Sequence, residues 1–238
     1  MKILLLNLGY CSGLDGSMHD YVFHGPRYMH TPARIADAVE KAVMQLVRTE
    51  EPDICCFLEM HKKSALVKDL RDFPCSDVED KYGIKSVLRH LPFFRDNCNG
   101  FFARTDVPYA KRFFRKGAKK LIYELSIGSD VTLLMSHFSL SEKIRKKQFR
   151  EIEAIIGERK KVILCGDFNI FHGTDEIKEL MSICNLNAIR HEPTFPTIHP
   201  KRTLDLFLCT PDIVVTRCET VQNFHGSDHL PVVLEFQV

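Results

Sequence analysis

The chain is punctuated by short apolar runs of strand length. They are Ile3–Leu6, Asp53–Leu58, Gly100–Ala103, Leu121–Ile127, Val131–Met135, Val162–Cys165, Leu204–Leu208, Ile213–Val215 and Val232–Phe236. Most are continuous rather than alternating, the pattern of strands covered on both faces. Helical periodicity appears between them. Ile35, Val39, Val43, Leu46 and Val47 make one stripe over Pro32–Thr49, with Thr31 as the expected cap and Pro32 in the first turn. Ile144, Phe149, Ile152, Ile155 and Ile156 make another over Ser141–Gly157, with Gly157 as a stop. A shorter helix is expected from about Thr174, as cap, to Cys184. Strands outnumber helices and interleave with them, with no repeat, linker or compositional break. One α/β domain over residues 1–238 is expected, with two mixed sheets packed face to face and helices outside.

Composition narrows the function classes. The hydrophobic fraction of 45% supports a sizeable core, and a net charge of +2 is too small for nucleic-acid binding by bulk charge. The nine cysteines include no Cys-x-x-Cys pair, and several lie inside apolar runs. They read as free thiols, with neither a disulfide framework nor a zinc knuckle. The apolar start is broken at Asn7 and Gly9, short of a signal sequence, and nothing approaches a membrane span. A monomeric, cytoplasmic protein is expected.

The chemistry is suggested by polar residues at strand ends. Gly166-Asp167-Phe168-Asn169 follows Val162–Cys165, and residues two apart on an extended chain point the same way. A carboxylate and an amide are thereby offered to one bound atom, although the same residues also make ordinary turns. Asn7 follows the first run, Glu59 the second and His137 the Val131–Ser136 segment, and Asp228-His229 precedes the last run. Each has a bland reading: a turn former, a solvated carboxylate, a core histidine. Asp205, set among leucines, is costly to bury without a partner such as histidine or a metal.

In this order the pieces resemble the endonuclease/exonuclease/phosphatase superfamily, on its deoxyribonuclease I-like and neutral sphingomyelinase-like side, over nearly the whole length. Asn7 ends the first strand. Pro52-Asp53-Ile54-Cys55-Cys56-Phe57-Leu58-Glu59, Asn99-Gly100-Phe101-Phe102-Ala103-Arg104 and Ser136-His137-Phe138 are similar to family elements, as are Gly166–Asn169, Thr203–Leu208 and Gly226-Ser227-Asp228-His229-Leu230-Pro231. The resemblance implies a four-layer α/β sandwich and a metal-dependent hydrolase of phosphate esters, a phosphodiesterase first. A nuclease acting on DNA or RNA, a phosphatase or phospholipase acting on a lipid head group or inositol phosphate, and a silent binding module are the alternatives.

The resemblance also implies roles. Asn7, Glu59 and Asp228 are expected to hold Mg²⁺, with Mn²⁺ as a substitute. Oxygen donors and unspaced cysteines favour such a hard cation over zinc. His229, oriented by Asp205, and the pair Asp167 and Asn169 are expected to activate water and position the phosphate, and His137 to assist the phosphate or the leaving oxygen. Arg27, Tyr28, Arg104, Phe195 and Arg202 are expected to touch substrate. The long Gly9–Thr31 connection is expected at the rim, setting specificity. Lys111–Lys120 mixes six basic residues with Phe113 and Phe114. It reads as a nucleic-acid platform or, more simply, as a basic loop anchored by its rings. Lys143, Arg145, Lys146, Lys147 and Arg150 read as a solvated helix face.

Overall fold

The computed structural model describes residues 1–70, 72–83, 86–92, 94–157 and 159–237. Its twelve strands are β1 (Lys2–Asn7), β2 (Ile54–His61), β3 (Cys75–Asp80), β4 (Asn97–Ala103), β5 (Tyr109–Phe113), β6 (Leu121–Ile127), β7 (Val131–His137), β8 (Lys161–Asp167), β9 (Asn187–Ala188), β10 (Asp205–Cys209), β11 (Val215–Thr220) and β12 (Val232–Phe236). The α-helices are α1 (Met18–His24), α2 (Ala33–Glu50), α3 (Leu66–Asp69), α4 (Glu142–Ile156) and α5 (Lys178–Ile183). One sheet runs β11-β12-β1-β2-β4-β3 and the other β5-β6-β7-β8-β10-β9.

The continuous apolar runs follow from packing on two sides. Ile3 and Leu5 of β1 lie in the core shared with Tyr123, Leu133 and Ile163 of the second sheet. Leu4 and Leu6 face the other way, onto Val39, Val43 and Val47 of α2. Leu134 and Leu164 of the second sheet pack onto Phe149, Ile152 and Ile156 of α4. Helix, sheet, sheet and helix therefore form the four layers of an α/β sandwich. Among the described residues, no helix is long and apolar enough to cross a membrane, and all nine cysteines are free.

Several expectations need correction. Thr31 does not cap α2. The cap position is Pro32, and the Thr31 hydroxyl instead donates to the carbonyl of Arg27 at 2.8 Å. The expected Thr174 helix is split into a 3-10 turn, Thr174–Ile177, and α5, with Gly173 at the first cap. The expected Ile213–Val215 strand begins only at Val215. Edge strands β3 and β5, largely polar outside Cys75 and Val78 or exposed, were not among the expected runs. Arg145 leaves the expected solvated face. It is 1% exposed, and its guanidinium donates to the carbonyl of Ser139 and pairs with Glu176.

Candidate active site

The pairing of strands within each sheet brings the polar strand ends together. β1 runs parallel to β2, and β7 parallel to β8, so Asn7 and Glu59 leave one sheet on the side where His137 and Asp167 leave the other. β10 is antiparallel to β8 and starts beside its end, with Asp205 opposite Asp167. Asn7 Nδ2 donates to Asp167 Oδ2 at 3.0 Å, a direct bond from one sheet to the other. Asp228 and His229 arrive on the turn before β12, where Ser227 Oγ donates to the carbonyl of Asn7 at 2.7 Å.

Local backbone departures aim these groups. Glu59 has φ +51° and lies where the β2–β4 register shifts between Phe57 and Met60. This irregularity turns the carboxylate out of the strand's alternation, as bulges near sites do. Its N–H is held by Asn99 Oδ1 at 3.1 Å. Asn169 also has a positive φ, +53°, its N–H on Asp167 Oδ1 and its amide on the carbonyl of Phe138. Left-handed non-glycine residues persist only where surroundings enforce them, often at functional sites. Gly166 is required by close approach, since a Cβ there would stand 1.7 Å from the carbonyl oxygen of Ser136.

All eight residues assigned to catalysis or metal thus meet around one region. Asn7, Glu59, His137, Asp167, Asn169, Asp228 and His229 line a cleft of about 390 Å³, and Asp205 lies directly behind His229. His229 Nδ1 bonds Asp205 Oδ2 at 2.7 Å, and Thr194 Oγ1 donates to the same oxygen at 2.7 Å. Asp167, Asp205 and His229 present atoms within 4.8 Å of one another. Given that short bond, the trio reads first as an oriented imidazole.

The surroundings set the protonation states. Burial would lower His229, but Asp205, Asp167 and Asp228 outweigh it and raise it to about 10, so it is an imidazolium at neutral pH. Burial and neighbouring Lys119 push His137 down to about 3, leaving it neutral. Burial works against ionised Asp167, yet the charges of His229 and Lys119 hold its carboxyl well below the ordinary range. One histidine therefore carries charge and the other does not, a division that suits different tasks.

The His229–Asp205 pair should also appear in stability. A histidine raised on folding contributes stability below its ordinary value of about 6.5. The contribution is lost as pH rises through about 10. Asp205→Asn is expected to cost about 3 kcal/mol at pH 7, with the gap to wild type narrowing as pH rises from about 6.5 to about 10. Denaturant unfolding across that range checks it; a gap independent of pH would contradict it.

The donors fit a hard divalent ion. Burial, with Asp228 and Asp167 nearby, raises Glu59 to about 7 despite Lys119, so this carboxylate favours a positive partner. Among the described residues its Oε2 accepts no hydrogen bond, whereas Oε1 accepts from Tyr10 Oη at 3.2 Å. The Nδ1 atom of His137 is buried without a partner, 3.7 Å from Glu59 Oε1. Asn7 Oδ1 accepts from the N–H of Gly9 at 3.1 Å and has a second lone pair. Asp228 is more engaged, its Oδ2 accepting from Tyr28 at 2.6 Å and Tyr21 at 2.8 Å. Glu59 thus has one oxygen, Oε1, facing Tyr10, Lys81 and Lys119, and Oε2 turned from them as a candidate ligand atom.

The expected substrate residues divide. Tyr28 and Phe195 line the cleft, Phe195 with its ring 4.9 Å from that of His229. Arg202 lies over the ring of Phe171, a cleft residue, at 5.3 Å. Arg27 is not among the lining residues. Arg104 stands at the opposite end of the sheet, where Ala103 pairs with Ile54. There it donates to the carbonyl of Pro52 at 2.9 Å and packs on Phe73, away from the cleft. In Lys111–Lys120, Phe114 is buried, Lys111 pairs with Asp77 and Glu79, and Arg112 pairs with Glu124. Both rings pack on the core as the anchored-loop reading expects, but residues 111–113 belong to strand β5 rather than a loop and Lys119 lines the cleft.

Sequence reasoning did not single out Tyr10, Tyr21, Met29, Lys81, Tyr82, Phe94, Asn97, Leu140 or Phe171, all lining the cleft, and reached Lys119 only as part of the basic run. The Tyr21/Tyr28 spacing within a long connection was the available signal for one of them. The Gly9–Thr31 segment is folded, with α1 followed by a 3-10 turn over Gly25–Tyr28. It also lines a second cavity of about 400 Å³, which shares Tyr10 and Met29 with the cleft.

The profile of the Endonuclease/Exonuclease/phosphatase family matches residues 16–229. No curated protein matches the sequence. Solved structures do match the fold. An endonuclease/exonuclease/phosphatase from Beutenbergia cavernae superposes with a TM-score of 0.70 at 16% identity, over all of this chain and 71% of that one. The mannosyl-6-phosphatase Bt3783 of Bacteroides thetaiotaomicron gives 0.71 at 15% identity, and the beta toxin of Staphylococcus aureus 0.69 at 15%, each over the full length of both chains. At such identities the likeness is one of fold.

Proposed function

Because the chain belongs to the endonuclease/exonuclease/phosphatase family, we propose that it is a metal-dependent hydrolase of phosphate esters that cleaves a phosphodiester. The observation that carries this reading is the convergence of ionised Asp167, charged His229 on Asp205, neutral His137 and half-buried Glu59 on one cleft. A silent binding module would not need all of these positions filled.

The roles follow from protonation. Asp167 is ionised and orients the attacking water, with Asn169 fixed beside it. His229, as imidazolium, neutralises charge building on the phosphoryl oxygens, and Asp205 holds it in place. His137, with Nε2 3.1 Å from Asp167 Oδ2, supports the phosphate or the leaving oxygen. Glu59, with Asn7 and Asp228 nearby, would hold Mg²⁺ or Mn²⁺. When bound, such an ion polarises a phosphoryl oxygen and offsets its charge.

For the substrate we favour a small or lipid phosphoester over a nucleic-acid strand. Supporting this are the cleft of about 390 Å³, its apolar Phe94, Leu140, Phe171 and Phe195, and the ion pairs that hold Lys111 and Arg112 of the basic run. The test is a Mg²⁺-dependent panel of single-stranded DNA, duplex DNA, RNA, phospholipids and inositol phosphates at two salt concentrations. A small ester should be cleaved with weak salt dependence. Preferred cleavage of nucleic acid with a steep salt slope would overturn the choice.

Specificity is assigned to the Gly9–Thr31 segment, which supplies Tyr10, Tyr21, Tyr28 and Met29 to the cleft. Replacing residues 13–30 by a short turn is expected to change the order of preference across that panel while Mn²⁺ binding persists. An unchanged profile would contradict the assignment.

A further inference from the structure

Two lysines enter the cleft from loops outside the motifs that identify the family. Lys81 follows edge strand β3 of the first sheet, and Lys119 precedes β6 of the second. Their loops are tied to each other. The N–H groups of Lys120 and Leu121 both donate to the carbonyl of Lys81, at 2.7 and 3.3 Å. Buried Gln148 of α4 donates to the carbonyl of Lys119 at 2.7 Å. Both side chains therefore start from fixed backbone.

Both ammonium groups stop at one carboxylate oxygen. Lys81 Nζ is 3.4 Å and Lys119 Nζ 3.7 Å from Glu59 Oε1. The Lys81 side chain is 5% exposed; its ammonium donates to Tyr10 Oη and lies 4.7 Å from the Tyr10 ring centroid. Lys119 donates to His137 Nε2. Burial and neighbouring Lys119 hold Lys81 well below the ordinary lysine range; a buried ammonium is costly unless paired, and a counter-ion for Glu59 would need only one. The other carboxylates are engaged elsewhere: Asp228 by two tyrosines, Asp167 by Asn7 and the N–H of Asn169, Asp205 by His229 and Thr194.

An ammonium has three N–H donors. Among the described residues, Lys81 has two acceptors and Lys119 one hydrogen bond plus its ion pair with Glu59. Donors thus remain on both, beside the imidazolium of His229 and in the same cleft. A tetrahedral oxyanion with several non-bridging oxygens meets such donors through charge-assisted hydrogen bonds. We infer that Lys81 and Lys119 form a two-ammonium clamp for the phosphoryl oxygens of the substrate, a role that deepens the phosphoester reading and rests on it.

The test is equilibrium binding rather than turnover, so the two claims can fail separately. Inorganic phosphate is titrated calorimetrically into the full chain, metal-stripped and with Mg²⁺. Lys119→Met is expected to weaken phosphate binding about ten- to a hundredfold. Lys119→Arg should stay within about threefold of wild type, since it keeps a charged donor. Lys111→Met, at an exposed ion pair on β5, should leave affinity unchanged. Lys81→Met is expected to weaken binding likewise; should it fail to fold, Lys119→Met decides alone. Absent phosphate binding in wild type, or unchanged affinity in Lys119→Met, overturns the clamp. Lysine-dependent phosphate binding without hydrolysis of any ester supports the clamp and overturns the proposed function.

Discussion

Asp167→Asn is expected to lower turnover of bis-p-nitrophenyl phosphate at least about a hundredfold, the usual weight of a positioned acid–base group. The substitution keeps shape and changes two things. It removes the negative charge that faces His137 and His229. It also places an N–H₂ or a neutral oxygen against Asn7 Nδ2, 3.0 Å away, where only an acceptor fits. If the amide oxygen turns to Asn7, its N–H₂ faces the N–H of Asn169, which now bonds Oδ1 at 2.9 Å. Either orientation loses one of the bonds that fix the group. The loss should appear in kcat with the fold retained by near-UV circular dichroism. Wild-type turnover would remove Asp167 from the chemistry.

Glu59→Gln is expected to be as damaging by a different route. Removing the carboxylate from the best-placed donor set should weaken Mn²⁺ binding by at least about a hundredfold, more than changes to groups behind a ligand usually cost. It also leaves Lys81 and Lys119 around a neutral amide, 3.4 and 3.7 Å from the lost charge. An uncompensated buried charge costs about 3 kcal/mol, so the melting temperature should fall, and added phosphate should recover part of it. In wild type the proton competes with the ion, because burial, with Asp228 and Asp167 nearby, raises Glu59 to about 7. Metal affinity should therefore weaken as pH falls below that value. Undiminished Mn²⁺ affinity in Glu59→Gln would move the metal elsewhere.

The sequence made the frame and most of the candidate site visible for related physical reasons. Strands buried on both faces read as unbroken apolar runs, and a polar residue ending such a run has few places to go. Asn7, His137 and Asp167 were conspicuous in this way, and Asp205 because a lone carboxylate among leucines needs a partner. Its partner, His229, lies 2.7 Å away. Elements without that contrast were hidden. β3, Cys-Ser-Asp-Val-Glu-Asp, is an edge strand with one partner and polar residues, so no hydrophobic pattern announced it or the lysine that follows. Lys119 was noticed as part of a basic run, but charge alone does not say which lysine turns inward. Arg104 fitted a family element and still lies at the far end of its strand, because a motif gives order along the chain rather than direction in space.

The irregular backbone at Glu59 and the tyrosine contacts to Asp228 were also out of reach. A bulge is a register difference between two strands, so neither strand shows it by itself. Tyr21 and Tyr28 meet Asp228 from about two hundred residues away, across a segment whose own pattern suggested only a long connection. These contacts belong to the part of the chain to which specificity is assigned.

The most direct measurement is hydrolysis of bis-p-nitrophenyl phosphate by the purified chain with Mg²⁺, with EDTA, and with Mg²⁺ in the His229→Ala variant. The account predicts turnover with Mg²⁺, its loss with EDTA, and at least a roughly hundredfold lower rate in His229→Ala. Turnover that persists in EDTA, or that His229→Ala leaves unchanged, would contradict it.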